Sequence, residues 1–291
     1  MTTACTDMKF RTEIEPVKTR HSIGIDQPLL MLGSCFTDNV GQRLAIDGFD
    51  VLHNPLGPLY NPMSLARCIR RAFAGQYYTE ADLVPGPRGW HCLDYASRYS
   101  GEDATELLTR LNRDFGTVVD RLANPRLHTL IVTFGSSYVF ERQGTVVGNC
   151  HKFPATEFRR RRLSVKEIVD TWATIIGSLP DNIDIIFTVS PIRHLADGLH
   201  GNEVSKATLL LALEELYPHY PLRAGYFPSY EIMLDDLRDY RFYAADMKHP
   251  SEVAVDYIYD IFTNTYVTEK DRAAALENRR RYRASQHHQI L

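Results

Sequence analysis

Apolar residues alternate along the chain between two rhythms. Short continuous runs stop at glycine or serine, and longer stretches place apolar residues three and four apart. The first run, Pro28 to Gly33, has the length and flanks of a buried strand. Ser34 to Ala45 follows with Val40 and Leu44 at helical spacing, so the pattern predicts strand, turn and helix. Phe49 to His53 reads as a second strand and ends in the turn-forming stretch Asn54 to Pro62. Ser64 to Ala74 reads as a helix capped by Ser64 or Asn61. Ala104 to Leu122 carries Leu107, Leu108, Leu111, Phe115, Val118 and Leu122 on one helical face. Thr129 to Phe134 is the clearest buried strand, and Gln143-Gly144 marks a hairpin-like turn after it. Ser164 to Ser178 is a helix with Glu167 placed for a capping box. Asp184 to Val189 and Gly225 to Phe227 are further strands, and Ser205 to Tyr217 and Ser251 to Val267 further helices.

Strands alternating with helices predict an α/β domain whose parallel sheet is covered on both faces. Residues 75–103 show no clear period and read as an excursion from these layers. Residues 1–267 are expected to form one domain, and 268–291 a charged helical tail. In open α/β sheets functional residues gather at the carboxyl ends of the strands. Those ends are Gly33 to Cys35, Asn54 to Gly57, Gly135 to Tyr138, and Ser190 to His194.

Composition narrows the class. Hydrophobic residues make up 44% and charged residues 24%, as in ordinary soluble enzymes, and the formal net charge of −3 argues against a nucleic-acid partner. The basic run Arg159 to Arg162 is short and reads as a solvated loop or helix face. Met1 to Arg20 lacks the apolar core of a signal peptide, and no stretch has the ~18 apolar residues of a membrane span. The five cysteines, Cys5, Cys35, Cys68, Cys92 and Cys150, are odd in number and contain no CxxC pair. Neither a zinc site nor a disulfide framework is suggested. A reducing, cytoplasmic setting without membrane attachment is the expectation.

Ser34 sits at a strand-to-helix turn, where helix amides could stabilise an oxyanion. A helix-capping serine occupies the same place for structural reasons alone. Asp246-Met-Lys-His249-Pro250 supplies what a nucleophile would need: a base, and a carboxylate to orient it. Pro250 should hold His249 extended and open the following helix. Cys35 beside Ser34, and Cys150 before His151, make a thiol nucleophile conceivable, but free cysteines are expected to be small buried hydrophobes. Tyr226, Phe227 and Tyr230 are expected in the core.

Together these segments resemble the GSCFA-domain family, a bacterial branch of the SGNH/GDSL hydrolases. The naming motif stands as Gly33-Ser34-Cys35-Phe36, with Thr37 in place of alanine. Matching blocks follow in order at Asn54 to Pro62, Asn149 to Lys152, Ser190 to His194, Tyr226 to Glu231, and Asp246 to Pro250. The resemblance covers roughly residues 9 to 265. It implies a three-layer α/β/α sandwich with a central parallel sheet of about five strands, the flavodoxin-like fold of SGNH hydrolases. It also implies a Ser34–His249–Asp246 triad, with the Ser34 and Gly57 amides in the oxyanion hole. The last oxyanion donor is either Asn149, by chemistry, or Ser137, by position. His151, Lys152, Arg193 and His194 could line a substrate pocket or only bond loop carbonyls.

The expected activity is hydrolysis of a small acyl ester, such as acetyl on a carbohydrate or polyol, through an acyl-enzyme and without a metal or organic cofactor. The alternatives are an acyltransferase on the same site and a non-catalytic carbohydrate-binding or scaffold protein. Oligomeric state is not legible.

Overall fold

The computed structural model describes residues 12–16, 22–87 and 89–287. Most of the polar segment before Ile23, with Cys5, lies outside the described residues, as do residues 288–291 of the tail.

The elements run in the order β1 (Leu29–Gly33), α1 (Cys35–Ile46), β2 (Val51–His53), α2 (Pro62–Phe73), β3 (Val84–Gly86), β4 (Gly89–His91), β5 (Ser100–Gly101) and α3 (Ala104–Ala123). Then come β6 (Thr129–Phe134), β7 (Tyr138–Arg142), β8 (Thr145–Val147), β9 (Arg159–Arg162), α4 (Val165–Ser178), β10 (Asp184–Val189), α5 (Gly198–Leu216) and β11 (Ala224–Phe227). The short α6 (Ser229–Glu231) runs into a π-helical stretch, Ile232–Asp236, and α7 (Glu252–Tyr266) and α8 (Glu269–His287) close the fold.

Five parallel strands form the central sheet in the order β11-β10-β6-β1-β2. Successive strand side chains point to opposite faces, and both faces here are apolar. Leu30, Leu32, Leu130, Val132, Ile185 and Phe187 pack under α2, α3, α4 and α5. Leu29, Met31, Ile131 and Ile186 pack under α1 and α7. The result is a three-layer α/β/α sandwich. On the first face Trp172 stands edge-on to Phe134 and Phe187, and its indole N–H reaches the Pro62 carbonyl at 3.2 Å.

Local chemistry accounts for the ends of the helices. Asn61 caps α2 by accepting from Ser64 N at 2.8 Å, and Ser164 with Glu167 forms a capping box on α4. Pro250 does not open α7; it lies one residue before the cap, Ser251, whose hydroxyl accepts from Ala254 N.

Two segments differ from the sequence reading. The excursion at 75–103 contains a small antiparallel sheet, β3-β4-β5, under α3. Arg159 to Arg162 is neither loop nor helix face but strand β9, paired antiparallel with β7. The arginines are held by partners: Arg160 by Asp197 and the Tyr138 ring, and Arg161 by Glu141 and Glu167. The charged helix α8 folds back on α1. Arg279 forms two bonds with the buried Asp47 carboxylate, at 2.8 and 2.6 Å, and Tyr259 adds a third at 2.7 Å. Among the described residues no helix is long and apolar enough to cross a membrane.

Candidate active site

The site is assembled at the carboxyl edge of the sheet. Gly33 ends β1 against β6, where a Cβ would come within 2.5 Å of the Thr133 carbonyl oxygen. Its φ of +156° is also one that residues with side chains rarely adopt, so glycine is needed here for backbone and space alike. The chain then turns into α1. Asn54, just past β2 with φ +38°, clamps this turn: its Oδ1 accepts from Gly33 N at 2.9 Å and its Nδ2 donates to the Ser34 carbonyl at 3.2 Å.

Ser34 is the N-cap of α1. It has no exposed surface, and its hydroxyl accepts from Phe36 N at 3.3 Å. Cys35, one residue on, is only partly buried and faces the loop between β11 and α7. His249 Nε2 lies 3.8 Å from Cys35 Sγ, within reach of a thiol hydrogen bond, and no hydrogen bond joins His249 to Ser34. The base therefore meets the thiol rather than the hydroxyl, which corrects the Ser34–His249 contact expected from sequence. The reason is geometric. Adjacent residues at a helix start project about 100° apart, and the Ser34 side chain is turned inward to cap the helix.

Behind the ring, His249 Nδ1 donates to Asp246 Oδ2 at 2.6 Å. Asp246 Oδ1 also accepts from Lys248 N at 2.9 Å and His249 N at 3.0 Å. These backbone bonds first, and then the ring bond, hold the Asp246 carboxyl well below the usual carboxylate range. With Asp246 accepting at Nδ1, the neutral ring presents Nε2 as a base. The loop is fixed by Ala244 N to the His249 carbonyl at 2.7 Å and by Arg193 N to the Lys248 carbonyl at 3.1 Å. Met247 within it adopts φ +57°. The His249 and Asp246 side chains remain 46% and 45% exposed, so the site is open to solvent.

Burial pushes the Cys35 thiol up. Its own backbone N–H pulls the other way, Asp38 adds to the rise, and the Tyr60 hydroxyl and Phe36 N–H again favour the thiolate. The Tyr60 hydroxyl is in turn raised to about 12 by burial and by Cys35. This arrangement can pass the thiol proton to His249 and leave a sulfur nucleophile beside the N-terminus of α1.

The other expected site residues divide. Gly57, at φ +86°, donates its N–H to the Asn54 carbonyl at 2.8 Å, so that amide closes a turn instead of facing the site. Ser137 is fully buried and its hydroxyl bonds Ser205 at 3.1 Å, which removes it as an oxyanion donor. Asn149 Oδ1 accepts from His151 N at 2.8 Å, and its Nδ2 has no protein acceptor among the described residues. Its neighbour Gly148 packs on Leu59, whose N–H reaches the Gly33 carbonyl. His151 is buried against the Tyr95 carbonyl at 2.9 Å and the His91 ring, and burial lowers its pKa; it does not line the surface. Lys152 is exposed. Arg193 stacks over Tyr243 at 4.0 Å, and His194 stands edge-on to Tyr60 at 5.8 Å. Burial, followed by Lys206 and His249, lowers His194 to about 4.

Three residues of the site were not singled out from sequence: Asn54 and Tyr60, which lay inside a motif block without a role, and Lys206. For Lys206 the signal was a polar set on one face of α5, at Asn202, Ser205 and Lys206, all buried. Among the described residues no three His, Cys, Asp or Glu side chains are grouped to hold a metal ion.

The GSCFA family model matches residues 28–262, from the first sheet strand into α7, and the chain belongs to the GSCFA family. No curated protein matches it.

Proposed function

We propose that this chain is an acyl-transfer enzyme of SGNH type that cleaves a small acyl ester through Cys35, with His249 as base and Asp246 as its orienting carboxylate. The observation that carries this reading is the line of contacts from Cys35 Sγ to His249 Nε2 at 3.8 Å and from His249 Nδ1 to Asp246 Oδ2 at 2.6 Å. His249 takes the thiol proton as sulfur attacks the carbonyl carbon. The tetrahedral oxyanion is met by the free N–H at the start of α1 and by Asn149 Nδ2. Collapse expels the alkoxide, which takes the proton from His249, and leaves a thioester on Cys35. Water then releases the acid, or an acceptor alcohol takes the acyl group. The acyl group proposed is a short one, such as acetyl on a carbohydrate or polyol. The described cysteines, Cys35, Cys68, Cys92 and Cys150, are all free, which supports work in a reducing compartment, the cytoplasm.

The test is a panel of acyl esters differing in chain length and alcohol, run on wild type, Cys35→Ala, Cys35→Ser and Ser34→Ala. Cys35→Ala should abolish turnover, and acyl-enzyme should be trapped on the peptide containing Cys35. Ser34→Ala should lose helix-cap stability, about 0.5–2 kcal/mol, but retain turnover. Full turnover in a folded Cys35→Ala, together with loss in Ser34→Ala, would return the nucleophile to Ser34. No turnover and no acyl-enzyme across the panel would favour a binding or scaffold role. Added alcohol that diverts product without slowing acylation would identify a transferase.

A further inference from the structure

A cavity of about 230 Å³ lies between the turn after β10 and the segment that follows α6. Met233, Leu234 and Leu237, from the π-helical stretch and the residue after it, give it an apolar wall. Arg193, Tyr240 and Tyr243 line the rest, with Arg238 and Asp239 beside them. π-Helical turns are uncommon and frequently lie at functional sites. The lining is joined to the catalytic loop by its backbone. Arg193 N donates to the carbonyl of Lys248, one residue before His249, at 3.1 Å, and Tyr243 bridges Pro250, one residue after it.

Charge in this lining is balanced except at one position. Arg238 pairs with Asp235, and Asp239 with Arg241 at 3.8 Å. Arg193, which is partly buried, forms no ion pair among the described residues. It is held by stacking instead: its guanidinium carbon stands 4.0 Å from the centre of the Tyr243 ring and 5.4 Å from that of Tyr240. Stacking occupies the face of the guanidinium. Its edge carries several N–H donors in a planar fork, and the Tyr243 hydroxyl can serve only part of it. Tyr243 is buried, so the cation rests on a fixed platform, and Tyr240 is 63% exposed at the mouth.

We propose that this cavity binds a small amphiphilic anion, with a carboxylate or phosphate head met edge-on by Arg193 and an apolar body against Met233, Leu234 and Leu237. The planar fork matches either head group with two parallel bonds. The volume lies below the roughly 300–1,000 Å³ of sites for drug-sized ligands, so the body is one aryl ring or a short chain. Two sources share this chemistry: an acid group carried by the alcohol of the substrate, and a separate anion held beside the loop. The first rests on the reading of Cys35 as an ester-cleaving nucleophile; the site itself does not.

The experiment is calorimetric titration of wild type and Arg193→Met with phenyl phosphate, benzoate, phenol and inorganic phosphate. Wild type should bind phenyl phosphate and benzoate at least about tenfold more tightly than phenol. Arg193→Met, which keeps an apolar stem on Tyr243, should lose that margin. Inorganic phosphate, without an apolar body, should bind more weakly than phenyl phosphate. Phenol bound as tightly as the anions, or a folded Arg193→Met that binds them like wild type, would overturn the proposal. If the variant does not fold, nuclear magnetic resonance of labelled wild type decides: the Arg193 Nε–H and Met233 methyl signals should move with phenyl phosphate, and unmoved signals overturn it. Turnover then identifies the source. A wild-type preference for 4-acetoxybenzoate over phenyl acetate that Arg193→Met loses places the acid on the substrate, and equal turnover of the two by wild type, with binding intact, places it on a separate anion. Absence of all turnover refutes the ester-cleaving reading and leaves this site to the binding result.

Discussion

Asn54 gives the sharpest test of how the site is held. Its side chain, 7% exposed, satisfies a buried donor at Gly33 and a buried acceptor at Ser34 on the two sides of the strand-to-helix turn. Asn54→Ala strands the Gly33 N–H, which costs about 1–3 kcal/mol, while the Ser34 carbonyl keeps its bond from Thr37 N at 2.9 Å. The backbone there is at φ +38°, which asparagine tolerates and alanine resists by about 1 kcal/mol more. Asn54→Gly loses the same bonds without the dihedral penalty and should be the milder variant by about that amount. Asn54→Asp keeps the acceptor for Gly33 N but sets a carboxylate oxygen against the Ser34 carbonyl, so it should fall near alanine. Urea unfolding read by tryptophan fluorescence gives the order, and Cys35 alkylation shows whether the turn still presents the thiol. A folded Asn54→Ala within about 1 kcal/mol of wild type, with alkylation unchanged, would refute the clamp.

Two further predictions concern buried charge. Folding holds His194 at about 4, below its ordinary 6.5, so the unfolded chain binds this proton first. Its contribution is complete above pH 6.5 and is lost as pH falls from there to about 4, by up to about 3 kcal/mol. Urea midpoints between pH 7 and 5 should show the decline, and His194→Gln should flatten it; equal slopes in both proteins would contradict the assignment. Arg279→Met leaves the Asp47 carboxylate, 1% exposed, with only Tyr259 and should cost about 3 kcal/mol. Adding Asp47→Asn should restore most of that loss in a thermal melt, and an Arg279→Met melt like that of wild type would show the pair to be idle.

The layers of this fold were legible because their chemistry is local. β1, β6 and β10 each centre on a continuous apolar run, and α2, α3 and α4 carry their caps in sequence. β9 was not legible: four arginines have no apolar period, and the strand exists because β7 offers a backbone edge and Glu141, Glu167 and Asp197 meet the charges. β3, β4 and β5 are two or three residues long, too short for any period to show. The loop residues Asp246 and His249 were readable from their spacing, since a carboxylate three residues before a histidine can reach its ring. The choice between Ser34 and Cys35 was not, because it depends on which of two neighbouring side chains turns inward to cap α1. Lys206 was hidden for a similar reason: its acceptors are backbone carbonyls, which carry no residue identity.

The bond between Asp47 and Arg279 also sets an order of events during synthesis. The two residues are 232 positions apart. At about 5–20 residues per second, a ribosome needs roughly 10–50 s to travel between them. For that interval the far end of the helix that begins at Cys35 holds a carboxylate whose cation has not yet been made. The nascent chain can lay β1, β6 and β10 side by side while waiting, with Phe36, Val40 and Leu44 of α1 against them, but Asp47 at the end of α1 lacks its cation until α8 emerges. Stalling translation before residue 279 should therefore leave a chain in which the end of α1 at Asp47 is more open to protease than in the complete fold.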